Sequence, residues 1–157
     1  MKFLVSKELH SNPNFTLLLG FYALMMFLYF VGDLFYMTYF FGSSVPEVLS
    51  TLKGNPDEFI EALSLLSLLE HFHISLFLAI LALFTTMAII LRVNLAFTHK
   101  KIIIFLSMIS LLLSFISLIG TYFLSDSFVY GFVLFSLLWH FTGLYALSII
   151  LKQVWFK

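Results

Sequence analysis

Five ionisable side chains fall within long apolar stretches of this sequence, and their chemistry is that of metal ligation and proton transfer. They are Asp33, Glu70, His71, His73 and His140. An ionisable group at membrane depth costs about 2.5–3.5 kcal/mol on insertion scales, so such groups predict a functional site. Counted at about 1.5 Å per residue from the ends of the apolar stretches, all five lie at similar depths. One compact cluster drawn from three helices is therefore geometrically permitted.

The two histidines of the second apolar stretch cannot both face that cluster. Positions two apart on a helix differ by about 200° in direction. His71 lies in line with Ser64, Ser67 and Thr85, so we expect His71 to face the interior, with His73 as its substitute. Glu70 and His73 form one Glu-x-x-His pair, whereas di-iron bundles use two such pairs.

The cluster predicts three functions. The first is a b-type haem held between His140 and His71, or His73 in its place, because imidazole is a haem-iron ligand. The second is an Fe, Cu or Zn ion bound by these histidines with Asp33 and Glu70. The third is a proton or cation relay through the same groups.

The competing class is a non-catalytic structural or accessory subunit, in which the polar cluster only fixes how the helices pair. Our leading hypothesis is the haem, serving electron transfer or a respiratory complex. The carboxyl groups of Asp33 and Glu70 would then tune the site or carry protons. No motif for hydrolytic or transferase chemistry is present, and we do not expect a stand-alone enzyme.

The composition predicts an integral membrane protein. Of 157 residues, 62% are hydrophobic and 10% are charged, and 21 are phenylalanine, whereas soluble domains have about half apolar and about a quarter charged residues. This composition excludes a water-soluble fold. A net charge of zero gives no basis for binding nucleic acid. The absence of cysteine excludes disulfides and thiolate ligands.

Four apolar runs are long enough to cross a bilayer, which takes about 20 residues of helix. They span residues 15–41, 63–91, 102–124 and 128–151. Their short connectors predict an all-α four-helix bundle of up-down-up-down topology, in one transmembrane domain over residues 1–157. The partner is the lipid bilayer, with other membrane subunits as further candidates. The polar loop 42–62 has room for one short interfacial helix.

The distribution of basic residues predicts the orientation, because cytoplasmic loops keep positive charge. Seven basic residues fall on one side and only Lys53 falls on the other. The seven are Lys2, Lys7, Arg92, Lys100, Lys101, Lys152 and Lys157. We therefore expect an inner-membrane protein with both termini in the cytoplasm and the 42–62 loop outside.

Small and weakly polar residues indicate which helix faces turn inward, because membrane helices pack through such residues. In the third run, hydroxyl residues recur at steps of three and four at Ser107, Ser110, Ser114, Ser117 and Thr121. The fourth run has a matching row of Ser136, His140, Gly143 and Leu147. At Gly143 a neighbouring backbone or a flat cofactor could approach closely.

Two short segments resemble respiratory proteins. Trp139-His140-Phe141 resembles the Trp-His-Phe in the last helix of subunit III of haem-copper oxidases. Glu70-His71-Phe72-His73, at the start of an apolar span, is similar to His-x-His helix starts in oxidase-like proteins. Each resemblance covers three or four residues and assigns no role to any of them. Together they favour a respiratory membrane.

Overall fold

The computed structural model describes residues 13–155, which form a bundle of long helices with one short helix at its edge. The helices are α1 (Pro13–Phe41), α2 (Val45–Lys53), α3 (Leu65–Ile90), α4 (Phe97–Phe123) and α5 (Phe128–Trp155). The four long helices have 26 to 29 residues, or about 40 Å of length. All four are apolar enough to span a membrane. The predicted all-α four-helix membrane bundle is confirmed. Lys2, Lys7 and Lys157, used above for the orientation, lie outside the described residues.

Helix α5 is the centre of the bundle, because it contacts each of the other four helices. Its contact with α4 is extensive, and its contact with α1 is also large. Helices α1 and α4 both pack on α5 but do not contact each other, and α1 touches α3 only sparsely. We call the end that carries residues 42–64 the loop end, and the end that carries residues 91–96 the terminal end.

The loop end is covered by α2, whose buried side chains Val48 and Leu52 pack on the ends of the long helices. The chain turns into α2 at Gly42, where φ is +106°. The side chain of Glu47 stabilises this turn. Its Oε2 accepts hydrogen bonds from the Ser43 backbone N–H at 2.7 Å and the Ser43 hydroxyl at 3.1 Å.

The turn before α2 is predicted to weaken in acid. The hydrogen bond from the Ser43 backbone, followed by those from side chains of the turn, lowers the pKa of Glu47 below its ordinary value. A lowered pKa contributes stability that is complete above the ordinary pKa and is lost as the pH falls through the folded-state pKa. Hydrogen exchange of the Ser43 amide should therefore lose protection in that acidic range. In Glu47→Gln this pH dependence should be absent, and an unchanged acid profile in that variant would contradict the assignment.

The hydroxyl row of α4 is buried, as the spacing predicted, but the hydroxyls of Ser107, Ser110, Ser114 and Thr121 bond within their own helix. The Ser107 Oγ donates to the Ile103 carbonyl at 2.8 Å, and the Thr121 Oγ1 donates to the Ser117 carbonyl at 2.8 Å. These residues therefore contribute to the packing through their small size. The space at Gly131 of α5 illustrates this, because a Cβ there would meet the Ser117 Oγ at 2.7 Å.

Size rather than hydrogen bonding should therefore decide the effect of substitutions at Ser107, which is 0% exposed. We expect Ser107→Ala to lower the free energy of unfolding by only about 0.6 kcal/mol. Ser107→Leu overfills the interface and should cost about 1–3 kcal/mol. Unfolding in mixed detergent micelles measures both values. Equal losses in the two variants would show that the hydroxyl matters more than its volume.

Candidate functional site

An acid and a histidine from opposite ends of the sequence meet inside the bundle. The His140 Nε2 on α5 lies 2.9 Å from the Asp33 Oδ2 on α1. The His140 side chain is 0% exposed and the Asp33 side chain is 12% exposed. The other ring nitrogen, Nδ1, lies 2.7 Å from the Ser136 carbonyl oxygen, one turn earlier on α5. Both nitrogens of the ring therefore have protein partners.

These contacts imply that the pair contains a shared proton. A carbonyl oxygen can only accept, so the His140 Nδ1 must carry the proton that it donates to Ser136. The Nε2 contact then has two forms, either imidazolium with carboxylate or neutral imidazole with a protonated Asp33. Both forms have no net charge and contain the same number of protons. The pair can thus hold one exchangeable proton without placing net charge in the membrane.

His71 on α3 lies in an aromatic setting next to this pair. The residue is 6% exposed. Its ring stacks on Phe40 with centroids 4.8 Å apart and meets Phe41 edge-on at 4.7 Å. Its Nδ1 lies 3.4 Å from the Tyr36 hydroxyl and its Nε2 lies 3.4 Å from the Ser75 hydroxyl. Both distances are beyond the usual range of strong hydrogen bonds.

Asp33 and His71 face common spaces rather than each other directly. An enclosed space of about 10 Å³ is lined by Asp33, His71, Ser75 and Ser114 among others. That volume is close to the lower limit for one water molecule, and the lining is polar enough to bind it. The structure thus brings Asp33, His71 and His140 into one region between α1, α3 and α5.

A second space is a groove between α1 and α3. It has a volume of about 380 Å³ and is open at the side of the bundle. Its lining consists of Tyr29, Gly32, Asp33, Tyr36, His71, Ile74, Ser75 and Leu78. The groove exists because α1 and α3 make few contacts along their length. The groove gives a molecule in the membrane a route to Asp33.

A third space connects the pair with the loop end. This cavity of about 90 Å³ runs between α1, α2 and α5, from Gly42 and Ser43 to Ser136 and His140. The Ser136 hydroxyl on its wall is buried and has no hydrogen-bond partner among residues 13–155. An unpaired buried hydroxyl is costly unless it is solvated, so this cavity suits water.

Glu70 and His73 do not join the cluster. Both are exposed on the outer face of α3, whereas His71 between them is buried. A step of about 100° per residue turns Glu70 and His73 away from the direction of His71, so His71 is the histidine of α3 that faces the interior. Across the described residues, no three His, Asp or Glu side chains are placed to hold a metal ion together.

The arrangement also does not provide a haem site as it is packed. Axial ligation needs a free imidazole nitrogen directed at the iron, and both nitrogens of His140 are engaged. The space expected beside Gly143 is filled by the Phe30 ring, which a Cβ at that position would overlap. Haem binding stays a prediction with a direct spectroscopic test.

Several neighbours of the cluster had weaker signals in the sequence. Ser75 lies one turn after His71, a spacing that would have placed its hydroxyl beside the ring. The stacking of Phe40 and Phe41 on His71 had no such signal, because phenylalanine is abundant throughout the chain. Phe30 was likewise not distinguishable from lipid-facing phenylalanines.

Comparison with known proteins gives a family but no named relative. No curated protein and no solved structure matches the chain. A family model described as a transmembrane helical domain matches residues 36–157, which is most of the chain. The match includes His71 and His140 but begins after Asp33. The chain is therefore a polytopic membrane protein that belongs to this family of transmembrane helical domains.

Proposed function

We propose that the protein contains a proton-exchange site at the Asp33–His140 pair, reached from the loop end of the bundle. The observation that carries this proposal is the double engagement of His140, by Ser136 at Nδ1 and by Asp33 at Nε2. Such a pair accepts or releases one proton at two known atoms, and it is neutral when the proton is present. Buried acid and histidine groups of this kind form proton relays in membrane proteins.

The loop-end cavity supports access of protons to the pair. It begins at Gly42 and Ser43, next to the polar loop, and ends at His140. The unpartnered Ser136 hydroxyl offers a hydrogen-bonding group along this path. A proton arriving through water in the cavity would be taken up between the His140 Nε2 and the Asp33 Oδ2, because Nδ1 already carries a proton.

The opposite direction is closed by apolar packing. Towards the terminal end, the pair is followed by Phe30, Ala146, Leu147 and Ile150, each 0% exposed. The geometry therefore favours proton exchange with one side of the membrane over conduction through it.

Exchange of the His140 ring protons with D₂O tests the proposal. The chain is labelled with ¹⁵N-histidine in lipid nanodiscs, and the His140 signals are assigned with His140→Gln. We expect exchange within seconds in the wild type, because the cavity admits water to the ring. Ser136→Val removes the polar group from the cavity wall and should slow exchange at least about tenfold. Phe141→Leu, on the exposed face of α5 next to His140, is the matched control and should not change the rate.

A purely structural pair predicts a different result. If the pair only fixes the packing of α1 on α5, the ring protons should remain unexchanged for hours, like those of a sealed core. That result would overturn the proposal and support the non-catalytic accessory class. The proton-exchange proposal also predicts that protons do not cross the membrane through the protein, because the terminal end is closed. Proteoliposomes should therefore show no proton flux above that of empty liposomes. A measured flux would contradict the closed terminal end.

The haem and metal-ion predictions have a direct test of their own. A visible spectrum of the purified protein in detergent, oxidised and then reduced, would reveal a b-type haem, and elemental analysis would reveal Fe, Cu or Zn. If a haem or a metal ion is bound, His140→Ala should lose it. A bound haem would require His140 to leave Asp33, and it would favour electron transfer or a respiratory complex over proton exchange.

We also propose that the protein lies in an inner membrane with both termini in the cytoplasm. The support is the excess of Lys and Arg at the terminal end, of which Arg92, Lys100, Lys101 and Lys152 lie within the described residues. The natural chain has no cysteine, so single cysteines report topology cleanly. Lys53→Cys should react with an impermeant maleimide on intact spheroplasts, whereas His99→Cys should react only after lysis. The reverse pattern of maleimide labelling would show that the chain has the opposite orientation.

A further inference from the structure

We infer that the groove between α1 and α3 is a binding site for an uncharged, membrane-soluble ring compound of the quinone or quinol type. The groove has about 380 Å³ of space, within the range of small-molecule sites and suited to one substituted ring. Its side opening faces the lipid phase, so a ligand would enter from the membrane. The proposal concerns binding and goes beyond the proton-exchange function.

The lining of the groove has the mixture that a ring with oxygen substituents needs. Tyr36 is 45% exposed and contributes an aromatic side chain, which Phe40 and His71 hold in place by stacking at 5.7 Å. The Tyr36 and Ser75 hydroxyls and the Asp33 carboxyl lie among the apolar side chains of the same wall. Ring oxygens can donate to or accept from these groups, while the ring contacts Ile74 and Leu78.

The charge balance of the site selects an uncharged ligand. Asp33 and His140 together hold one proton and no net charge. No Lys or Arg lines the groove, so an anionic head group has no partner there. A cationic ligand would need a bare carboxylate, which would require Asp33 to give up the shared proton in a low-dielectric setting. A ligand with a carbonyl or hydroxyl oxygen requires neither a Lys or Arg partner nor the loss of the shared proton.

Two further features of the groove favour a ligand: open space at one wall and a hydroxyl group without a hydrogen-bond partner. A Cβ built on Gly32 would meet no atom within 4 Å, so the α1 wall is open at that residue. Beside it, the Tyr29 hydroxyl is buried without a hydrogen-bond partner in the described part of the chain. A polar ligand in the groove would bring an acceptor close to this unused donor.

Photolabelling of the whole protein in nanodiscs tests the inference, with a short-chain azidobenzoquinone as the probe and the matching benzoquinone as the competitor. We expect saturable labelling that is competed and that maps to α1 and α3. Gly32→Leu fills the groove from its open wall and should reduce labelling at least about tenfold. Tyr36→Phe removes one hydroxyl and should weaken binding about fivefold, the value of one hydrogen bond.

Ala88→Leu is the matched control, because it enlarges an exposed residue of α3 away from the groove. It should leave labelling unchanged, and circular dichroism should show that every variant keeps its helices. Labelling that fails to saturate and spreads over all four long helices would overturn the inference, since it would reflect partition into lipid. Saturable labelling that persists in Gly32→Leu would overturn it as well. Gly32→Leu leaves the loop-end cavity intact, so ring-proton exchange at His140 reports on the other proposal separately.

Discussion

Replacing His140 by alanine is expected to lower the free energy of unfolding by about 3–5 kcal/mol, the cost of removing one partner from a buried charged pair. The ring is 0% exposed and its Nε2 is 2.9 Å from Asp33. Its loss leaves the carboxyl of Asp33 facing the apolar interior and leaves a cavity the size of an imidazole. Reversible unfolding in mixed detergent micelles measures the change.

His73→Ala is the matched control for this variant, because His73 is the exposed histidine of α3. It should change the free energy of unfolding by no more than about 0.5 kcal/mol. The double variant Asp33→Leu/His140→Leu should recover much of the stability lost in His140→Ala, since apolar residues can replace a buried pair at little cost. A loss below about 1 kcal/mol in His140→Ala would mean that the pair does not hold α1 against α5.

Gly143→Leu is expected to be the second large perturbation, with a loss of about 3 kcal/mol or more. The Phe30 ring of α1 occupies the space beside Gly143 of α5, so any side chain there overlaps that ring. Phe30 is 0% exposed and also contacts Trp139 at 5.5 Å between ring centroids. The helices must separate or Phe30 must leave its position.

Gly32→Leu provides the control, because the same substitution on α1 meets open space. We expect it to cost less than about 1 kcal/mol. The double variant Gly143→Leu/Phe30→Ala should lose less free energy of unfolding than the sum of the losses in the two single variants. The reason is that removing the Phe30 ring makes space for the Leu side chain, which in turn fills the cavity left by the ring. Additive losses would show that Phe30 and Gly143 are not in contact.

The membrane bundle could be predicted from the sequence because length and apolarity are local properties. Each long run contains enough residues to span a bilayer, and the hydroxyl spacing of α4 identifies its buried face without reference to other helices. His71 is buried as expected, but the row used to predict it is buried only in part, because Ser64 is exposed and Ser67 is half-buried.

The partners of those faces could not be predicted in the same way. Asp33 and His140 are 107 positions apart, and their contact depends on α1 packing against α5 rather than α3. Helix spacing gives the direction of each side chain but not the identity of the neighbouring helix. The space beside Gly143 shows the same limit, because its occupant is an aromatic ring of α1 and the sequence permitted a cofactor equally well.

The central position of α5 has a consequence for biosynthesis. During translation α1 enters the membrane before the other helices described here, and the partner of Asp33 is synthesised 107 positions later. Until then the carboxyl group has no His140 to share a proton with, and α1, α3 and α4 lack the helix that each of them contacts. A prematurely terminated chain would therefore display an acidic residue within an unfinished assembly, a feature by which membrane proteases could distinguish it from the completed protein.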